Sequence, residues 1–148
     1  MIALIQRVTS AQVSVNDSIF SKINHGFVLL LGIYEDDTEV DVDKLVEKII
    51  NIRIMSDENK KMNKSIIETK GEILIVSQFT LCADISGGRR PSFINAKKPD
   101  EAKKLYQLFV KKLKQKNIKV ETGKFAAYME VHIVNDGPVT IIVNSKEI

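Results

Sequence analysis

Four residues at the end of an apolar run are the part of this sequence best suited to chemistry. Residues 73–76 are all aliphatic, and they are followed directly by Ser77, Gln78, Phe79 and Thr80. The run is typical of a buried strand, so polar side chains at its end mark a place where a pocket can open in the core. Because side chains alternate along a strand, Gln78 and Thr80 are predicted to share one face. These residues alone allow two interpretations. They could line a pocket, or they could simply end the strand with their hydroxyl groups hydrogen-bonded.

A hydroxyl nucleophile requires a neighbouring base, and the histidines supply none in a recognisable pattern. His25 precedes Gly26 in a predicted turn, and His132 lies within an apolar run, so both are predicted to be structural. Cys82 has no sequence neighbour that would favour its thiolate, and we predict a passive buried residue. No spacing of His, Cys, Asp and Glu resembles a metal site, and no nucleotide-binding glycine loop occurs. We therefore predict neither a metal nor a cofactor.

Two further stretches carry groups that suit substrate binding. Residues 135–140 read NDGPVT between two apolar runs, which predicts a turn. A prolyl bond can be cis at modest cost, and that geometry would reorient the carbonyls of Gly137 and Pro138. Residues 87–93 read GGRRPSF, and Arg89 and Arg90 could grip phosphate groups. A solvated loop is the alternative interpretation of this second stretch.

The elements that must position these residues are mostly strands. Apolar and alternating patterns predict strands at residues 2–8, 13–15, 18–20, 27–33, 51–55, 71–81, 119–121, 129–134 and 139–143. Thr38 predicts the N-cap of a first helix, and residues 99–116 predict a second one with lysines at its far end. The lysines are predicted to be a solvated face, with RNA contact as the alternative. This order of elements favours an α+β fold.

Composition limits the class of protein. The 148 residues suit one domain, spanning residues 1–148, and the net charge of +3 is too small to indicate a nucleic-acid binder by itself. One cysteine excludes a disulfide within the chain and fits a reducing cytoplasm. The longest apolar stretch is far too short to cross a membrane. We expect a cytoplasmic protein with no membrane association.

Two of these stretches resemble the signature motifs of a known family. SQFTL at residues 77–81 and NDGPVT at residues 135–140 are similar to the two signatures of the D-aminoacyl-tRNA deacylases, also called D-tyrosyl-tRNA deacylases. The similarity continues through ALIQRV near the start, NIRI at residues 51–54, GRRPSF at 88–93 and ETGKF at 121–125. It therefore covers nearly the whole chain.

The resemblance implies a homodimeric hydrolase with a compact, β-barrel-like α+β domain, rich in antiparallel sheet and with two main helices. Such an enzyme cleaves the ester between a D-amino acid and the 3′-terminal adenosine of tRNA, and it also removes mischarged glycine. The implied hydrolysis uses the tRNA 2′-hydroxyl, and Thr80 as nucleophile is the rival mechanism. A non-catalytic tRNA- or RNA-binding module and a threonine or serine esterase remain the alternative functions.

The resemblance also implies roles for individual residues. Gly137 and Pro138 would form a cis pair that rejects L-amino acids and reaches into the partner subunit's pocket. Arg7 would brace that pair. The catalytic pocket would be lined by Ser77, Gln78, Phe79 and Thr80, and the adenosine and tRNA would be contacted by Phe125, Met129, Arg89 and Arg90.

The chain departs from the family pattern at two turns. Ala126 stands where the family usually has a glycine after the phenylalanine of its GxF segment. Lys60 replaces the glycine of a DENGK turn, and we expect Asn59 to take the left-handed conformation in its place.

Overall fold

A computed structural model describes all 148 residues, and a six-stranded sheet dominates it. The strands are β1 (Ile2–Val15), β2 (Ser18–Ile23), β3 (Gly26–Gly32), β4 (Met55–Ser56), β5 (Met62–Lys64), β6 (Glu72–Ser77), β7 (Lys119–Thr122) and β8 (Glu130–Asn144). The helices are α1 (Glu39–Asn51) and α2 (Pro99–Lys114). The main sheet runs in the order β2-β1-β3-β6-β7, with β8 also on β1, while β4 and β5 form a separate hairpin. The predicted α+β class is confirmed.

Strand β1 organises the sheet because it pairs with three others. One edge of β1 pairs antiparallel with β3 and then with β2, and the other edge pairs antiparallel with β8. Only β6 and β7 are added in parallel. The β1–β2 connection is the predicted tight turn, with Asn16 and Asp17 at φ values of 49° and 61°. The result is a curled, mainly antiparallel sheet that is nearly barrel-like, as expected.

The two helices cover the same core. Helix α1 begins after Thr38 as predicted, and the Thr38 N–H donates to the Asp41 carboxylate at 2.9 Å. Helix α2 begins at Pro99 and buries Phe109 and Tyr106, whose hydroxyl donates to the Ile75 carbonyl at 3.0 Å. That bond ties α2 to the strand that leads into the SQFT segment. Neither helix has the length and hydropathy of a membrane-crossing segment.

The predicted turn at residues 135–140 is wrong. The sequence pattern indicated two strands here, at residues 129–134 and 139–143. In the structure, β8 is continuous, and Gln6 faces Thr140 while Val8 faces Asn135. Two steps along β1 therefore correspond to five along β8, so residues 136–139 form a bulge. The neighbouring β1 keeps the chain extended on both sides of the bulge, and this long-range pairing is invisible in the local sequence.

Three local predictions also need correction. The strand predicted at residues 51–55 is replaced by the last residue of α1, a short link and β4. The strand predicted at residues 71–81 ends at Ser77, and a 3₁₀ helix follows over Phe79–Cys82. In the DENKK turn, Lys60 adopts the left-handed conformation, at φ 60°, where we expected Asn59 to do so. A left-handed residue therefore stands at the position where the family usually has glycine.

Candidate functional site

A cavity of about 680 Å³ opens at the end of β6. Its walls come from the end of β6, the first turn of α2 and the segment that follows β7. Most lining residues are apolar, as is usual for a small-molecule site with a few placed polar groups. The predicted site residues in its wall are Ser77, Gln78, Phe79, Phe125 and Met129. The structure therefore brings together two groups of residues that lie almost fifty positions apart in sequence.

The SQFT segment leaves the sheet at the cavity. Gln78 still donates its N–H to the Leu31 carbonyl of β3 at 2.8 Å, and the chain then turns into the 3₁₀ helix. Strand alternation therefore does not extend to Thr80. The Gln78 side-chain amide instead donates to the Thr80 hydroxyl, which lies outside the cavity wall. The predicted shared strand face of Gln78 and Thr80 is therefore wrong, and their side chains meet because of the turn into the 3₁₀ helix.

The backbone at this turn offers hydrogen-bond donors. The first bond of the 3₁₀ helix runs from the Leu81 N–H to the Gln78 carbonyl. The N–H groups of Phe79 and Thr80 precede that bond and have no acceptor within the helix. Two adjacent free donors beside a cavity can stabilise an oxygen that develops negative charge.

Aromatic side chains surround the mouth of the cavity. The Phe79 ring meets Phe93 edge to face, with the ring centroids 4.9 Å apart. Phe125 packs against Tyr106 at 5.5 Å, and Tyr128 lines the cavity although 91% of it is exposed. Exposed rings at a cavity suit stacking on a nucleobase. Phe93 and Tyr128 were not predicted as site residues, although both are aromatic residues in loops.

The Gly137–Pro138 pair lies in the β8 bulge and outside the cavity of its own chain. The peptide bond between the two residues is cis, and Gly137 has a φ of 122°. Arg7 is buried beneath the bulge, where its Nε lies 3.0 Å from the Asp136 carboxylate and its Nη1 donates to the Ile54 carbonyl at 2.8 Å. The bulge is thus fixed to the core by a guanidinium group from β1.

Arg89 and Arg90 lie in an exposed loop that is closed at its base by two hydrogen bonds between Asp84 and Ser92. Neither arginine pairs with a carboxylate, and neither lines the cavity. Phe93 follows directly, so the loop is anchored at the cavity mouth through the Phe79 contact.

Comparison with known proteins identifies the family. Residues 4–144 match the family described as D-Tyr-tRNA(Tyr) deacylase. The chain belongs to this family. Proteins named D-aminoacyl-tRNA deacylase from Thermosipho melanesiensis and Aquifex aeolicus are 54% and 52% identical to it, with 100% of this chain and 99% and 100% of theirs covered. This confirms the resemblance and the enzyme class predicted from the sequence.

Solved structures agree with the fold. One described as the c-Myc DNA Unwinding Element Binding Protein has a TM-score of 0.91 and 42% identity, covering 97% of this chain and 98% of its own. Another, described as a probable eukaryotic D-amino acid tRNA deacylase, has a TM-score of 0.85 at 17% identity, with the same shares covered. The second match shows the fold alone.

The titratable residues near the site offer this family member no conventional base. His25 and His132 are exposed and lie outside the cavity. Cys82 is buried, and burial raises the pKa of its thiol to about 11, with a further contribution from the charge of Asp37. The thiol is therefore protonated at neutral pH and unreactive, in agreement with its predicted passive role. No group of three or more His, Cys, Asp and Glu side chains is placed to hold a metal ion.

Proposed function

We propose that the protein hydrolyses the ester between a D-amino acid and the 3′-terminal adenosine of tRNA, releasing the free amino acid and tRNA. Glycine attached to the wrong tRNA would be removed in the same way. The observation that carries the proposal is the apolar and aromatic cavity at the end of β6, which lies beside a turn whose first backbone N–H groups have no acceptor within the helix. The cytoplasm, where aminoacyl-tRNA is used, is the expected location.

The chemistry requires few side chains. An aminoacyl ester is already activated, so a placed water and stabilisation of the oxyanion are sufficient. The N–H groups of Phe79 and Thr80 are the candidate donors, and such donors typically contribute about 3 kcal/mol each. The 2′-hydroxyl of the terminal adenosine can assist the attacking water, which fits the absence of a histidine from the cavity wall. Phe125 and Met129 would contact the adenosine, and Arg89 and Arg90 would contact phosphates.

Selection of the D-amino acid would rest on Gly137 and Pro138. Apolar pockets that merely fit a substrate discriminate weakly, so chirality demands rigid polar contacts. The two carbonyls would hold the substrate ammonium group while the SQFT donors hold the ester. One direction then remains for the side chain, which points to open space in the D form and meets backbone in the L form. Glycine passes because it has no side chain.

This assignment needs a homodimer, because the Gly137–Pro138 pair lies outside the cavity of its own chain. Strand β8 supports such an assembly. It spans Glu130–Asn144 and pairs only with β1, so its other edge is unpaired along 15 residues. Natural proteins cover or interrupt long strand edges, and a second copy would cover this one. A two-fold axis there is the simplest symmetry for such a dimer, and the proposal requires it to place each bulge at the partner's cavity.

Hydrolysis of D-Tyr-tRNA and L-Tyr-tRNA by wild type and Gly137→Ala tests the proposal. Wild type should hydrolyse the D form and spare the L form. A Cβ at Gly137 would lie 2.9 Å from a Val139 methyl carbon and 3.1 Å from Arg7 Nη2, at a φ unsuited to alanine. We expect Gly137→Ala to lose D-activity by about 10²-fold, as displaced reacting groups commonly do, or to accept the L form. Unchanged D-activity and unchanged L-rejection in a folded variant would refute the assigned role.

A binding module without catalysis is the second candidate, favoured by the printed name of the 42% identical structure. In that case the protein would bind uncharged tRNA or duplex DNA and would release no amino acid from D-Tyr-tRNA. Enzyme turnover at concentrations far below substrate separates the two functions directly.

A further inference from the structure

A second groove lies between helix α2 and strand β7, and the proposed catalytic chemistry makes no use of it. Its volume is about 570 Å³. The lining residues are Tyr106, Gln107, Val110, Lys111, Lys114, Gln115 and Thr122. Its lining includes two lysines and two glutamines and no carboxylate, so its charge is positive. Such a lining suits a polyanion with hydrogen-bond acceptors.

Four lysines in the last turn of α2 and just beyond it divide into two sets by their partners. Lys112 pairs with Asp43, and Lys116 pairs with Glu47 at 2.5 Å, so both face helix α1. The groove lysines, Lys111 and Lys114, are exposed and pair with no carboxylate. At the C-terminal end of α2, the lysines that face α1 are thus neutralised by carboxylates, and the lysines that face β7 are not.

The groove lies next to the cavity at the end of β6. Tyr106 lines the groove, and its ring lies 5.5 Å from that of Phe125, which lines the cavity. The Tyr106 hydroxyl donates to the Ile75 carbonyl at 3.0 Å, and this hydrogen bond fixes the position of the ring that separates the groove from the cavity. Along α2, Ala102 lines the cavity and Lys114 lines the groove. Twelve helical residues span about 18 Å, which is the length of a few nucleotides.

We propose that this groove binds the phosphates of the single-stranded nucleotides that precede the terminal adenosine of tRNA. The inference rests on the proposed function, because it assumes that the adenosine occupies the cavity. Lys111 and Lys114 neutralise phosphate charge, while Gln107 and Gln115 offer amide donors to phosphate or ribose oxygens. The contact is independent of sequence and acts on binding of the tRNA end, with no part in cleavage of the ester.

The test compares two charge-matched double variants, Lys111→Ala/Lys114→Ala in the groove and Lys112→Ala/Lys116→Ala on the α1 flank. Each is assayed with D-Tyr-tRNA at several salt concentrations and with 3′-O-D-tyrosyl-adenosine, which has no phosphate. The groove variant should lose about tenfold in kcat/KM on the tRNA substrate near 0.1 M salt. Its salt slope should fall by about 1.4, since single-stranded contacts contribute about 0.7 each. Its kcat/KM on the adenosine ester should equal that of wild type.

Three results would overturn the inference. Equal losses in both double variants would show that only net charge matters. An equal loss on the adenosine ester would show that the groove changes disturb the cavity through Tyr106. Unchanged kcat/KM and salt slope on D-Tyr-tRNA would show that the groove carries no RNA.

The same variants separate this inference from the proposed function. If wild type hydrolyses neither substrate, the proposed function fails. The affinity for uncharged tRNA and its salt slope, measured by filter binding in the same two double variants, then test whether the groove binds RNA. A selective loss in the groove variant supports it, and equal or absent losses refute it.

Discussion

The hydroxyl of Thr80 accepts a hydrogen bond from the Gln78 amide, and no histidine or carboxylate contacts it. Activation of a hydroxyl as a nucleophile requires a base within hydrogen-bond reach. The backbone N–H of the same residue needs no base, because it would only donate a hydrogen bond to the oxygen that becomes negatively charged. The main chain of Thr80 is therefore the better candidate for the proposed catalytic role than its side chain.

We predict that Thr80→Ala keeps substantial D-Tyr-tRNA hydrolysis, within about tenfold of wild type in kcat, because it removes the hydroxyl and leaves the N–H donor. Single-turnover assays measure this, with Thr80→Ser as the variant that retains a hydroxyl. A loss of about 10⁴-fold in folded, tRNA-binding Thr80→Ala, or an acyl group trapped on Thr80, would establish covalent catalysis in its place.

Lys60 illustrates a residue that the fold accepts at a cost. Its φ of 60° places a Cβ in the left-handed region, which is unfavourable by about 1–2 kcal/mol relative to glycine. We expect Lys60→Gly to raise the free energy of unfolding by about 0.5–1 kcal/mol, since glycine's greater unfolded-state entropy offsets part of the gain. Urea unfolding measures it, with Lys61→Gly as the control at a neighbouring position that lacks a positive φ.

Lys61→Gly should lower the same free energy. If both variants are destabilised equally, backbone strain at Lys60 is not the cause. The sequence indicated that this turn needs one left-handed residue, but the prediction of Asn59 was wrong by one position. Asparagine has the better intrinsic tendency, and the hydrogen bonds from the Asn59 and Lys61 N–H groups to the Asp57 carboxylate fix the turn one residue later.

At the scale of elements, the first turn of α1 is held by a buried acidic side chain. Asp41 accepts from the Thr38 N–H at 2.9 Å and from the Ser145 hydroxyl at 2.8 Å, and the Lys146 ammonium lies 3.3 Å away. Burial alone would raise the pKa of Asp41, but these hydrogen bonds outweigh it and hold the pKa well below its usual value. The carboxylate thus joins the helix start to the end of the chain.

The stability from Asp41 should depend on pH in a defined direction. A carboxyl whose folded pKa is depressed contributes its full stability above its unfolded pKa of about 3.9 and loses it as pH falls towards the folded value. We expect the difference in unfolding free energy between wild type and Asp41→Asn to be constant from pH 5 to 7, which are about one unit or more above that value, and to shrink below about pH 4.

Urea unfolding at a series of pH values checks this prediction. Glu39→Gln, which alters an exposed acidic residue in the same turn, is the control and should show a much smaller effect. A difference that grows on acidification would contradict the assigned pKa shift.

Local sequence signals predicted the elements whose shape is set locally. Asn16 and Asp17 marked a hairpin because both tolerate positive φ, and Thr38 marked a helix start because its cap is formed within one turn. The β8 bulge escaped prediction because it depends on pairing with β1, more than a hundred residues away in sequence. The cavity wall that follows β7 also depends on long-range pairing. The parallel pairing of β6 with β7 brings this wall beside the SQFT segment.

At the scale of the whole molecule, the outer face of β8 carries apolar side chains that are exposed to solvent in the single chain. Val134 and Ile142 are 56% and 62% exposed on this edge strand. Their burial in a second copy would be favourable by about 25 cal/mol per Å² of apolar area. Charged replacements there should oppose association without disturbing the core.

We predict that Val134→Asp/Ile142→Asp is monomeric and has lost at least about 10²-fold in D-Tyr-tRNA hydrolysis, because each cavity would lack the partner's bulge. Sedimentation reports the assembly and circular dichroism reports folding. Ile67→Asp, at an exposed apolar position outside β8, should change neither property. A folded monomer with full activity would rule out the shared site.

The location of Gly137 and Pro138 outside their own chain's cavity has a consequence for mixtures of defective subunits. Suppose that one defective chain carries Gly137→Ala and another carries a disabling change at Gln78. In the homodimer that we propose, each of these two chains alone then forms only inactive dimers. Random reassociation makes about half of the dimers mixed, and each mixed dimer combines one undamaged cavity with one undamaged bulge. About a quarter of all cavities regain activity, so two inactive preparations should complement each other on mixing.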